Sequence, residues 1–132
     1  NLLAIHQKKY IGKLSAFCGA VSAGYACGAA ITYMLGGNFN QIANTIINTL
    51  ANTSGIICDG AKPSCAAKIS SALDAALLAH TMSMHDDVFH ADEGIVKDDL
   101  EKTIRAVGYI GREGMKSTDI EVLNIMIDKV CP

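Results

Sequence analysis

The sequence predicts an all-α fold, a compact single-domain bundle of about five helices around a central Gly/Ala-rich buried helix. Three observations predict it. Half of the 132 residues are apolar, enough for one hydrophobic core in a chain of this length. Apolar residues recur at spacings of three and four through much of the chain, the period of helices buried on one side. Nothing along the chain calls for a strand pair.

Leu14 to Leu35, "LSAFCGAVSAGYACGAAITYML", carries no charge. Its length admits a membrane span, but Ala, Gly, Ser and Cys dominate it, and Gly24 and Gly28 stand at the spacing that lets helices approach closely. It reads as the central buried helix. After Gly36 and Gly37, Asn38 followed by Gln41 makes a capping box. The second helix it starts carries Phe39, Ile42, Ala43, Ile46, Ile47 and Leu50 on an apolar stripe, with Asn44, Asn48 and Asn52 along the polar side.

Pro63 suits the first turn of a third helix, which Ala66, Ile69, Leu73 and Leu77 carry to about Met84. The stretch "HDDVFHADEGIVKDD" from His85 reads as a solvated acidic loop. Leu100, Ile104 and Val107 make a fourth helix ended by Gly108, Gly111 and Gly114. Thr118 with Glu121 caps a fifth, whose stripe is Ile120, Leu123, Ile127 and Val130.

A formal charge of −2 and the absence of any Lys/Arg cluster exclude a nucleic-acid footprint, because phosphate binding needs a concentrated basic face. The chain opens Asn1-Leu2-Leu3 with no leader-like stretch, and reads as a piece of something longer. Five cysteines leave a thiol over in any disulfide scheme, which fits a reducing, cytoplasmic setting. Asn52-Thr53-Ser54 matches a glycosylation acceptor, without meaning in that setting.

Cysteine chemistry centres on "GIICDGAKPSC", residues 55–65. Cys65 lies in a helix's first turn, where free N–H groups favour a thiolate. Cys58 lies across a turn from it at Gly60, and Cys18 lies within the Gly-rich central helix, so three thiolates can converge. The Cys-x6-Cys spacing is longer than zinc sites use. An iron–sulfur cluster accepts ligands from separate elements, and three ligands on four irons leave one iron open for Lewis-acid work. The bland reading is buried, inert cysteines in a non-catalytic helical interaction or oligomerisation domain.

"FCGAVSAGYACGAAITYMLGG", "GIICDGAKPSCAAKISSALDAALLA" and "DEGIVKDDLEKTIRAVGYIGREGMKSTDIEVLNIM" together resemble the C-terminal part of the L-cysteine desulfidase family, related to the alpha chain of iron–sulfur L-serine dehydratases. The resemblance implies a [4Fe–4S] lyase that eliminates the β-substituent of L-cysteine or L-serine, giving pyruvate and ammonia with release of sulfide or water. It implies Cys18, Cys58 and Cys65 as cluster ligands. It also implies a general base outside this chain, in a missing N-terminal part, so that residues 1–132 form a cluster-binding domain inactive alone.

Lys62 is a candidate for the substrate carboxylate, Thr53 and Ser54 for hydrogen bonds to substrate, and Asp59 for holding the turn through its side chain. Cys27 reads as a small packed hydrophobe. Cys131, beside Pro132, reads as an unpacked terminal thiol; the resemblance offers it as a tail cysteine that reaches the fourth iron. His80, His85 and His90 recur every five residues, off any single helical face, and read as surface histidines. Asp86, Asp87, Asp92 and Glu93 lack the order of a calcium loop.

Overall fold

Starts, stops and small residues fix the helices and how closely they pack. The computed structural model describes residues 1–129. Among these residues six α-helices are formed: α1 (Leu2–Ile11), α2 (Gly19–Met34), α3 (Phe39–Thr53), α4 (Ser64–Met84), α5 (Leu100–Tyr109) and α6 (Lys116–Met126), with a π-helical turn at Ile110–Gly114. Among the described residues there is no strand, only an isolated antiparallel bridge between Phe17 and Ile57. The bundle is all-α, as the periodicity predicts, and among the described residues no helix is long and apolar enough to cross a membrane.

The Asn38 capping box forms in full: Asn38 Oδ1 accepts from the Gln41 N–H (3.0 Å) and Gln41 Oε1 from the Asn38 N–H (2.9 Å). The predicted third helix is α4, and Pro63 stands immediately before it. Three boundaries differ from expectation. The central helix starts at Gly19 instead of Leu14, with Cys18 in extended geometry as its N-cap. α1 is an additional helix. α6 begins at Lys116 with no side-chain cap, so Thr118 lies inside the helix and its expected box is not made.

α2, α3 and α4 form the centre of the bundle. A Cβ built on Gly24 would stand 2.8 Å from the Ala72 carbonyl oxygen, and one on Gly28 would stand 3.0 Å from the Ala76 Cβ. Gly24 therefore meets Ala72 and Gly28 meets Ala76, so α2 and α4 run parallel at a separation only glycine and alanine permit. This overturns the expected stripe on α4. Ala72, Ala75, Ala76, Ala79 and Ser83 face inward, while Ile69, Leu73 and Leu77 are exposed, because no larger side chain fits against α2.

Two polar expectations change as well. Asn48 is buried: its Nδ2 donates to the Asp87 carbonyl (3.0 Å) and its Oδ1 accepts from the Phe89 N–H (3.1 Å), tying the acidic loop to α3. His80 Nδ1 lies 2.9 Å from Thr32 Oγ1, which also meets Thr45 Oγ1 at 2.9 Å, so this histidine joins α2, α3 and α4. α5 ends at Tyr109, beside Gly108, and the chain runs on as a π-helical turn to Gly114; Gly108 and Gly111 are buried where Tyr10 and Phe17 pass over them.

α1 packs against α2 and α5. Gln7 is buried and its Oε1 accepts from Ser22 Oγ (2.6 Å), while Tyr25 Oη donates to the Leu3 carbonyl (2.6 Å). Glu101 of α5 accepts from Tyr10 Oη (2.6 Å), His6 Nε2 (2.8 Å) and Arg105 Nε (3.0 Å). Among the described helical elements, α6 packs on the π-helical turn alone. Ile120 and Leu123 of its stripe are exposed, as is Ile127 just beyond the helix, so this stripe is not core; Val130 lies outside the described residues.

Gly24→Val should cost about 1–3 kcal/mol in urea unfolding, since the added carbons meet α4 backbone that cannot turn aside. Gly55→Ala, with nothing within 4 Å of the added Cβ, should stay within about 0.5 kcal/mol. Tyr10, then His6, hold the Glu101 carboxyl down at about 2. A depressed carboxylate stabilises the fold above its unfolded value of about 4.3 and loses that contribution as pH falls toward 2. Melting temperature should therefore drop more steeply with acid in the native chain than in Glu101→Gln; the difference is on the order of 1 kcal/mol, because the side chain is 41% exposed and screened.

Candidate metal centre

The parallel pairing of α2 and α4 brings two helix N-termini to the same end of the bundle. Cys18 precedes Gly24 by six residues and Cys65 precedes Ala72 by seven, so along the paired axes they differ by about one helical rise, ~1.5 Å. Side-by-side positive helix ends repel each other unless an anion lies between them. No acidic residue occupies the first turn of either helix.

Cys58 is delivered to the same end by backbone pairing. The bridge between Phe17 and Ile57 is closed by two hydrogen bonds, Cys18 N–H to the Ile56 carbonyl (3.1 Å) and Cys58 N–H to the Ala16 carbonyl (2.6 Å). Side chains alternate along extended backbone, so Cys18 and Cys58 both project from the face opposite Phe17 and Ile57. Past Cys58 the chain reverses at Gly60, whose φ of +90° suits glycine, and enters α4 with Cys65 in its first turn.

The three cysteines differ in exposure. Cys18 is 2% exposed, whereas Cys58 and Cys65 are half-buried. Burial pushes the Cys18 thiol up, as do the sulfurs of Cys58 and Cys65; the Ala20 N–H and the Lys68 ammonium oppose the rise. A shared electrostatic field thus links all three sulfurs and one cation. Among the described residues, no three His, Cys, Asp or Glu side chains stand close enough to hold a single metal ion. A cubane cluster bonds each thiolate to a different iron and spaces them more widely. Chain neighbours and its own helix backbone aside, nothing lies within 4 Å of a Cβ built on exposed Gly19, so the space beside Cys18 is open to solvent. The donor set, two helix N-termini and open space fit an anionic inorganic group.

Lys68 went unremarked in the sequence. Its ammonium donates to Asp59 Oδ1 in an ion pair across the Cys58 corner, lowering the Asp59 carboxyl and raising its own value. Asp59 does hold the turn, but through this cation. The available signal was spacing: Lys68 follows Cys65 by three residues, one helical turn on the same face.

Lys62, the expected cation, is exposed. Thr53 is buried and its Oγ1 donates to the Thr49 carbonyl (2.7 Å), so only its lone pairs remain to receive a donor. Ser54 caps the end of α3, half-buried. Thr53 lines a groove of about 510 Å³ with Asn52, Ile56, Ser71, Asp74 and Leu78, and none of the three cysteines reaches it. Cys27 is exposed, not packed as expected, because the inward face of α2 is taken up by Gly24, Gly28 and their neighbours. Cys131 lies outside the described residues.

Alkylation under mildly alkaline conditions should separate these thiols. Among the cysteines described, Cys27 should label first and Cys18 last by peptide mass spectrometry; a fast Cys18 would contradict its burial.

The family described as "Serine dehydratase alpha chain" matches residues 1–124. A UPF0597 protein of Treponema denticola is 60% identical over 127 residues, covering 96% of this chain and 30% of its own. UPF0597 proteins of Finegoldia magna (54% over 129 residues, 98% and 31%) and Lachnoclostridium phytofermentans (57% over 128 residues, 97% and 31%) are similar in the same way. The chain thus spans just under a third of the length of the curated relatives it matches. No solved structure matches it.

Proposed function

The chain belongs to the serine dehydratase alpha chain family, and from that premise we propose that it is the cluster-holding part of an iron–sulfur amino-acid lyase, with Cys18, Cys58 and Cys65 as its thiolate ligands. The observation that carries this reading is the parallel pair of helix N-termini bearing Cys18 and Cys65, with Cys58 latched beside Cys18 by the bridge. A [4Fe–4S] cluster held by three thiolates supplies an iron able to act as a Lewis acid on the substrate's β-substituent.

The chain's own residues bind, shield and orient. Cys18, at the buried end, closes one side to water. At α2 the Ala20 N–H reaches the Cys18 sulfur, and at α4, where the Cys65 and Ala66 N–H groups are already given to the Lys62 and Pro63 carbonyls, only the positive helix end would offset anionic charge. Lys62 at the exposed corner is the candidate partner for the substrate carboxylate, and Ser54 and the lone pairs of Thr53 are candidates for polar contacts. The general base and the choice between L-serine and L-cysteine belong, in this proposal, to the remaining two-thirds represented in the longer relatives. That part is the expected partner, and self-association of this chain is the alternative way to cover its apolar faces.

One observation favours a second reading, a non-catalytic helical interaction domain. Ile69, Leu73 and Leu77 of α4 and Ile120 and Leu123 of α6 are exposed, as on a docking module whose cysteines are inert.

Anaerobic incubation with iron and sulfide distinguishes the two. The lyase reading expects a brown protein with about four irons per chain, lost in Cys58→Ser and in Cys65→Ser with helicity retained. A folded chain that takes up no iron selects the docking module. Mixing the loaded chain with the remaining part of the Treponema denticola relative, then assaying pyruvate from L-serine and from L-cysteine, tests the reaction itself.

A further inference from the structure

The Cys58 corner has one hydrogen-bonded tie to α4 that is neither backbone nor sulfur. Asp59, the residue after Cys58, receives the Lys68 ammonium, and Lys68 stands one turn past Cys65. The bridge fastens Cys58 to the Cys18 segment, but nothing in it fastens Cys58 to α4. We infer that Lys68 is a positioning residue for the thiolate group: gripped by Asp59, it closes the triangle of Cys18, Cys58 and Cys65 and sets a fixed positive charge beside their sulfurs. This inference rests on the cluster-holding reading.

Exposure separates Lys68 from the other cation of the corner. The Lys68 side chain is 24% exposed while bearing a full charge, which is costly unless anions surround it. Asp59 supplies one anion. Asp59 directly follows Cys58, and Cys65 lies one turn before Lys68 on the same helix, so the ammonium is tied between two of the three cysteine-bearing segments. An ammonium has three protons and the Asp59 bond uses one, which leaves two for an anionic group. Three thiolates in one place repel each other, and a cation held among them offsets part of that repulsion. Partners that orient metal ligands commonly change metal affinity by 10–100-fold when removed.

The test uses the whole chain loaded anaerobically, with iron release to a chelator and the midpoint potential of the bound cluster as readouts. Lys68→Met should release iron on the order of tenfold faster and shift the potential to more negative values, since losing a nearby cation favours the oxidised form. Lys68→Arg should restore both toward the native values. Asp59→Asn, which frees the ammonium without removing it, should speed release while moving the potential less. If Lys68→Met loses its helical circular dichroism, Asp59→Asn and Lys68→Arg carry the comparison. Native release and potential in Lys68→Met, or in Asp59→Asn where that carries the comparison, would overturn the inference alone. A native chain that binds no iron would overturn the reading beneath it.

Discussion

The rest of the structure depends on how closely α2 approaches α4. Where Gly24 meets Ala72 and Gly28 meets Ala76, the helix axes are held at a distance set by backbone and methyl groups, and close contact of that kind resists sliding. Because the pair runs parallel, its geometry reaches to the N-termini. A displacement of one residue between the helices would move Cys18 and Cys65 out of level by a full rise. α3 returns the chain between them, so that the corner bearing Cys58 begins at the same end. A packing decision in the middle of the bundle thus places two cysteines two turns away.

The same constraint decides which side of α4 meets solvent. Its alanine face is used on α2, and its isoleucine and leucine residues point outward. α6 likewise buries none of its apolar side chains in the bundle. With relatives more than three times as long as this chain, surfaces of this character suit contact with further polypeptide. The cysteine end is therefore one boundary of a larger proposed assembly, and α4 both carries ligands and offers a flank to whatever completes the site.

Much of this was legible in the residues. Asn38 and Gln41 announced α3 because capping chemistry is local, and Pro63 announced α4 for the same reason. Gly24 and Gly28 announced a close helix contact, though not its partner, since two stripes compete on α4 and apolar size points to the wrong one. The start of α2 was hidden because Leu14 to Cys18 contain neither a charge nor a capping hydroxyl in register. The three cysteines could be picked out, but the means by which Cys58 reaches Cys18 could not: a single bridge between residues forty apart has no period. Lys68 was not legible, because Lys62 lies nearer the turn in sequence and only the fold shows which lysine is folded inward.

The bridge at Phe17 and Ile57 differs in kind from the helix pair it serves. Cys18 and Cys65 are anchored to helices whose spacing the core dictates, whereas Cys58 rides on a connection secured by two backbone hydrogen bonds and an ion pair. Evolution or an engineer could add or delete residues between Cys58 and Pro63, retuning one vertex of the proposed cage, and leave the scaffold intact. The other two vertices admit no such adjustment, so diversity in what this architecture holds would be written into the loop before α4.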